Sequence, residues 1–186
     1  SYAKGLAAVA LGIALGAAAT ARMATRFQGF GATTIGPWTA WPAIGGPDAD
    51  PYARLHAKLV DAIPFAPGEG ADFAATADSA GAPLDGACAY RVEGGAIEAR
   101  FWTLEATTSA GLPFATPSHR HAFSSRDLPR DSAGRFAIVV AARASPGVWL
   151  PVAAGGRFEL RLRLYDTASA TLDGLALPAI RKAGCP

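Results

Sequence analysis

A chain of 186 residues, 51% hydrophobic and only 17% charged, has room for one core plus an appendage and is too apolar to stay disordered. Seventeen Lys and Arg against fifteen Asp and Glu leave a net charge of +2, with no basic block and no interleaving of basic and aromatic side chains, which argues against nucleic acid as a partner. Gly (21) and Pro (14) are both abundant, and in an apolar chain that implies many turns between short strands.

From Gly5 to Ala21 there is no charged side chain; Lys4 precedes the run, and Arg22 and Arg26 follow it. As a helix this run would be about 25 Å long, at the short end for crossing a bilayer, and the flanking cations can snorkel to extend it. Residues 1–26 are therefore expected to be a transmembrane anchor with its flanks. Ala17, Ala19 and Ala21 offer small-residue cleavage positions, so a removed signal peptide is the alternative. Gly12 and Gly16 form a GxxxG pair, with Gly5 and Ala8 on the same side; such a stripe lets a second helix approach closely in lipid. Charge is nearly balanced across the run, so it does not set the orientation.

Residues 27–47 read as a linker. Gly29, Gly31 and Gly36 are too irregular for a phosphate-cradling loop, and Trp38 and Trp41 suit a core cap or a membrane interface. A helix follows, with Asp50 as N-cap, Pro51 in the first turn and Pro64 as the stop. Tyr52, Leu55, Leu59 and Ile63 give it an apolar face, and His56 reads as an ordinary surface or half-buried histidine.

Beyond this helix the pattern changes to period two. Strands are predicted over Asp72–Ala77, Ala87–Glu93, Ala96–Thr107, Phe136–Ala142 and Arg157–Tyr165, separated by Gly, Pro and Asp turns. In the last, Phe158, Leu160, Leu162 and Leu164 alternate with Glu159, Arg161, Arg163 and Tyr165, so one face is core and the other solvent or an interface. Several strands without intervening helices predict a mainly β domain over residues 48–186, a β-sandwich or jelly-roll-like pair of sheets carrying one short helix.

No constellation amounts to a catalytic signature, and no cofactor is implied. His119 and His121 form an H-x-H pair with no third ligand at metal spacing, no serine sits in a GxSxG turn, and the carboxylates are scattered. Arg157, Arg161 and Arg163 could hold an anionic group, but a solvated polar face accounts for them more simply. Cys88 and Cys185 permit a single disulfide; the alternative is two separate buried thiols. A cysteine beside the terminus favours the bond, which belongs to an oxidising compartment.

In order along the chain, GPWTAWP (Gly36–Pro42), DPYARLHA (Asp50–Ala57), CAYRVEG (Cys88–Gly94), ARFWTLEA (Ala99–Ala106), VWLP (Val148–Pro151), RLRLYD (Arg161–Asp166), LPAI (Leu177–Ile180) and Cys185 resemble a bacterial family, domain of unknown function 1214, over roughly residues 36–186. Val148 stands where that family usually has Asn, and Glu105-Ala106-Thr107 where it usually has Leu-Tyr-Asp. The resemblance implies an envelope protein with a sandwich-like domain, and it carries over no catalytic residue. With the apolar helix, it yields an expectation of a single-pass protein of the bacterial inner membrane whose domain lies in the periplasm. The expected function is that of a non-enzymatic accessory subunit docking by its helix among other transmembrane proteins of a larger inner-membrane complex; a respiratory or photosynthetic assembly would suit it, although no residue names either. The alternative is a tethered domain that binds or hydrolyses a small molecule, with Trp102, Trp149, Arg161 and Arg163 at the rim of its pocket.

Overall fold

The computed structural model describes residues 2–26, 30–59, 63–66, 68–116, 118–167, 172 and 174–185. The period-two segments form a six-stranded and a four-stranded sheet packed face to face. Strands β1 (Thr33–Ile35), β2 (Trp38–Ala40), β3 (Gly70–Ala75), β9 (Phe158–Tyr165), β5 (Phe101–Thr108) and β6 (Ala122–Ser124) lie side by side in that order in the larger sheet. The smaller sheet runs β10 (Ala179–Gly184), β4 (Ala89–Gly94), β7 (Phe136–Ala141), β8 (Trp149–Pro151), and only its β7–β8 pair is parallel.

β9 lies between β3 and β5, as its alternation requires. Its leucines all point between the sheets, with Leu162 in register with Phe73 on one side and Leu104 on the other. They meet Val92, Ile138, Val140 and Ile180 of the smaller sheet. Burying a side chain of this size fully stabilises by about 1.5–3 kcal/mol, which makes this layer the main support of the fold. Trp102 joins the same layer, its ring 4.9 Å from that of Phe136.

Three expectations need correction. Residues 33–40, read as linker, form the β1–β2 hairpin and extend the larger sheet through β3. A two-residue turn joins β1 to β2, and Gly36 takes φ 57° at its first position, a conformation that glycine adopts without strain. Trp38 is fully buried and its indole N–H donates to the Pro178 carbonyl at 2.7 Å, tying this hairpin to the segment before β10. The strand read from Ala96 starts instead at Phe101, because the chain bends after Gly95 and the Ala99 amide donates back to Ile97.

The third correction concerns the helix α2 (Pro51–Leu59). Asp50 caps it, its Oδ1 accepting from the Tyr52 and Ala53 amides at 2.9 and 3.0 Å. Its buried side, however, is Ala53 and Ala57, and Leu55 and Leu59 face outward. Ala57 lines the space over the larger sheet. Its extension toward Pro64 crosses residues 60–62, outside those described.

The N-terminal helix α1 (Tyr2–Arg26) includes a stretch, Tyr2–Met23, long and apolar enough to cross a membrane. It is exposed along its described side chains and touches α2. Cys88 and Cys185 are bonded, linking the end of β10 to the start of β4 and closing a loop of 97 residues.

Candidate functional site

The outward face of the larger sheet, predicted as solvated, is partly roofed. α2 and the segments around residues 41–46 and 63–66 lie over β3 and β9. Two glycines make this close approach possible. A Cβ on Gly45 would run into the Phe65 carbonyl, and one on Gly70 would meet the Leu164 carbonyl, with the Phe65 ring 3.3 Å away. Phe65 then packs edge-on against Tyr165, with ring centroids 5.1 Å apart.

Beneath this roof, strand register assembles a charged cluster. Arg161 lies opposite Ala74 on one side and Glu105 on the other; Arg163 lies opposite Asp72 and Thr103. Arg161 Nε sits 3.0 Å from Glu159 Oε1, and its Nη1 is 3.5 Å from Asp72 Oδ2. Arg163 Nε is 3.6 Å from the same Asp72 oxygen, an ion pair beyond hydrogen-bond length. The side chains of Arg161, Asp72 and Glu159 are only 17%, 19% and 16% exposed.

Burial pushes the Asp72 carboxyl above its ordinary range, against the pull of Arg161 and Arg163. Burial also opposes the Arg161 charge, but Asp72 and Glu159 outweigh it and hold the guanidinium firmly protonated. His56, on the sheet side of α2, is shifted down by burial and by Arg161, with Glu159 acting in the other direction. Its imidazole is therefore neutral at pH 7. Asp72 Oδ1 is buried without a hydrogen-bond partner, a costly arrangement for a polar atom.

Between roof and cluster lies a cavity of about 120 Å³. Trp41, Phe65 and Ala57 line it, together with His56, Asp72, Glu159 and Arg161. Of the residues expected at a pocket rim, Arg161 lies in this lining and Arg163 sits beside it on the same sheet face. Trp102 points to the opposite face, into the core. Trp149 lies in the smaller sheet, its indole donating to the Ala141 carbonyl at 2.9 Å. Gly5, Gly12 and Gly16, with Ala8, lie on exposed α1, and a Cβ on any of these glycines would meet open space. His119 and His121 lie exposed outside the strands, and among the described residues no group of three His, Cys, Asp or Glu side chains is placed to hold a metal.

The family model described as "Protein of unknown function (DUF1214)" matches residues 69–169, from the threshold of β3 to just past β9. The chain belongs to this family. The matched span is narrower than the motif order suggested, and it divides the site: in this DUF1214 chain Asp72, Glu159 and Arg161 fall inside the match, whereas Trp41, His56 and Phe65 precede it. The VPA0106 protein from Vibrio parahaemolyticus shares the fold with a TM-score of 0.60 at 23% identity, over 74% of this chain and 36% of that one. A putative uncharacterized protein from Burkholderia cenocepacia aligns with a TM-score of 0.48 at 16% identity, over 67% of this chain and 32% of that one. The chain thus spans about a third of the length of these structures. No curated protein matches it.

Proposed function

We propose that this DUF1214 chain is a membrane-tethered domain of the bacterial envelope that binds a small molecule in the cavity under α2. The single observation carrying this reading is the partly roofed, aromatic-walled space over the cluster of Asp72, Glu159 and Arg161. Cavities with apolar walls and a few convergent polar groups of perturbed acidity are where ligands bind. The disulfide and the apolar helix support an envelope location with the domain on the oxidising side.

The lining selects the ligand class. A dry cavity of ~150 Å³ admits benzene, so the space here suits a single ring or a short chain. Asp72 and Glu159 face it with Arg161, and Arg163 and Glu105 stand beside them on the same sheet face, so three carboxylates oppose two guanidiniums while burial disfavours a charge on His56. Trp41 and Phe65 offer aromatic walls of the kind that favour a cation. The ligand is a small organic amine or a compact hydrogen-bond donor. The test is thermal unfolding of the full chain in nanodiscs with benzylamine or benzoate. Benzylamine raises the unfolding midpoint and benzoate does not, and Ala74→Leu, which fills the cavity, abolishes the rise. Equal effects of the two probes, or none, would contradict the reading.

A second reading, that α1 docks as an accessory subunit among the transmembrane helices of a larger complex, is favoured by the open stripe of Gly5, Ala8, Gly12 and Gly16. The two readings are compatible, since one uses the glycine stripe of α1 and the other the cavity beneath α2.

A further inference from the structure

The outward side of α2 carries Leu55 and Leu59, 39% and 56% exposed, and Ile63, 83% exposed, lies four residues further on. A single exposed leucine needs no explanation, but an apolar side on a helix whose other side already roofs the cavity does. What covers it is set by its neighbour. α2 touches α1, the helix apolar enough to cross a membrane. Along α1, Met23 near the C-terminal end is the least exposed of the large apolar side chains, at 41%, so the domain meets the helix where it leaves the apolar stretch. Arg22 stands at that end, Lys58 lies exposed on α2 next to the leucines, and Arg54, also exposed, donates to the Gly46 and Pro47 carbonyls at 2.7 and 2.6 Å. An apolar side flanked by cations, held against a membrane-crossing helix, has the composition of an interfacial helix.

We propose that α2 lies in the headgroup layer of the same bilayer that α1 crosses. Leu55, Leu59 and Ile63 enter the acyl boundary, and Lys58 meets lipid phosphates. The partner is anionic lipid, not a second protein. This seating is independent of what the cavity binds, but it puts the cavity's roof on the membrane, so a ligand reaches the site from the bilayer surface.

The test uses the full chain in nanodiscs of phosphatidylethanolamine and phosphatidylglycerol that contain a lipid-borne quencher. An environment-sensitive dye is placed at Leu59→Cys or, on the smaller-sheet side, at Ala144→Cys, the Cys88–Cys185 bond being left intact. The dye at position 59 emits further to the blue and is quenched several-fold more than the dye at 144. Tryptic cleavage of the unmodified chain in the same nanodiscs supplies a second readout, in which Lys58 is protected while Arg143 is cut, and Lys58 becomes open to cleavage when detergent replaces the nanodisc. Equal quenching at the two positions, or cleavage at Lys58 as rapid as at Arg143, would overturn the proposal.

Discussion

Replacing Arg161 by Met keeps the length of the side chain and removes the charge that holds Asp72 and Glu159 together. With Nη1 and Nε at 3.5 and 3.0 Å from the two carboxylates, and all three side chains less than a fifth exposed, the pair behaves as a buried one. Breaking a buried pair from one side costs about 3–5 kcal/mol, because the remaining charge is stranded. Some exposure survives here, so the lower end, about 3 kcal/mol, is the expected loss. For a domain of this size that lowers the unfolding midpoint by roughly 6–12 °C. The pH dependence follows from Asp72. Its folded-state pKa lies above the ordinary 3.8, so its contribution is fully present below that value and is lost as pH rises through the folded value. Removing Arg161 takes away a cation that pulls this pKa down, so the deficit of Arg161→Met is larger at pH 7 than near pH 4. Thermal unfolding of the full chain in nanodiscs at both pH values measures this, and adding Asp72→Asn and Glu159→Gln recovers part of the loss. A change within about 0.5 kcal/mol of the parent, as for an exposed surface residue, or a deficit that ignores pH, would refute the reasoning.

Three further outcomes are expected. Cys88→Ala with Cys185→Ala opens a loop of 97 residues and lowers stability by about 4–5 kcal/mol, read from urea unfolding; the parent loses as much when reduced. His56 has a folded pKa below 6.5, so its contribution is present above 6.5 and is lost as pH falls through the folded value; His56→Gln therefore flattens the stability profile on the acid side of 6.5, and an unchanged profile would count against burial of the imidazole. Gly12→Leu and Gly16→Leu, facing open space, leave the domain's unfolding unchanged while releasing any native helix partner from gently solubilised membranes, and unaltered co-purification of that partner would remove the second reading.

The sandwich is legible in the sequence wherever a strand is long enough to show its period. In β9, four buried residues alternate with four charged or aromatic ones, and every one faces as predicted. β1, β2, β6 and β8 are three residues each, too short for any period to register, and β10 buries only Ile180 firmly. The α2 error has a different origin: hydrophobicity alone favours Leu55 and Leu59 as the packing side, whereas the chain buries Ala53 and Ala57, with Ala57 over the cavity. The site is hidden for a related reason. Arg161 and Glu159 look solvated along one strand, and only the pairing with β3 brings Asp72 to them, while only the path of the roof brings Trp41, His56 and Phe65 over them. Trp102, expected at a pocket rim, falls on an inward position of the β5 alternation and joins the core.

The central claim is that the space beneath α2 holds a small amine. The most direct measurement is protein-observed NMR of the full chain in nanodiscs, titrated with benzylamine, with the indole and imidazole side chains resolved. Saturable shifts of the Trp41 indole and His56 imidazole together, with the Trp149 indole unmoved, are the predicted result. Shifts confined to Trp149, or none that saturate at Trp41 and His56, would contradict the account.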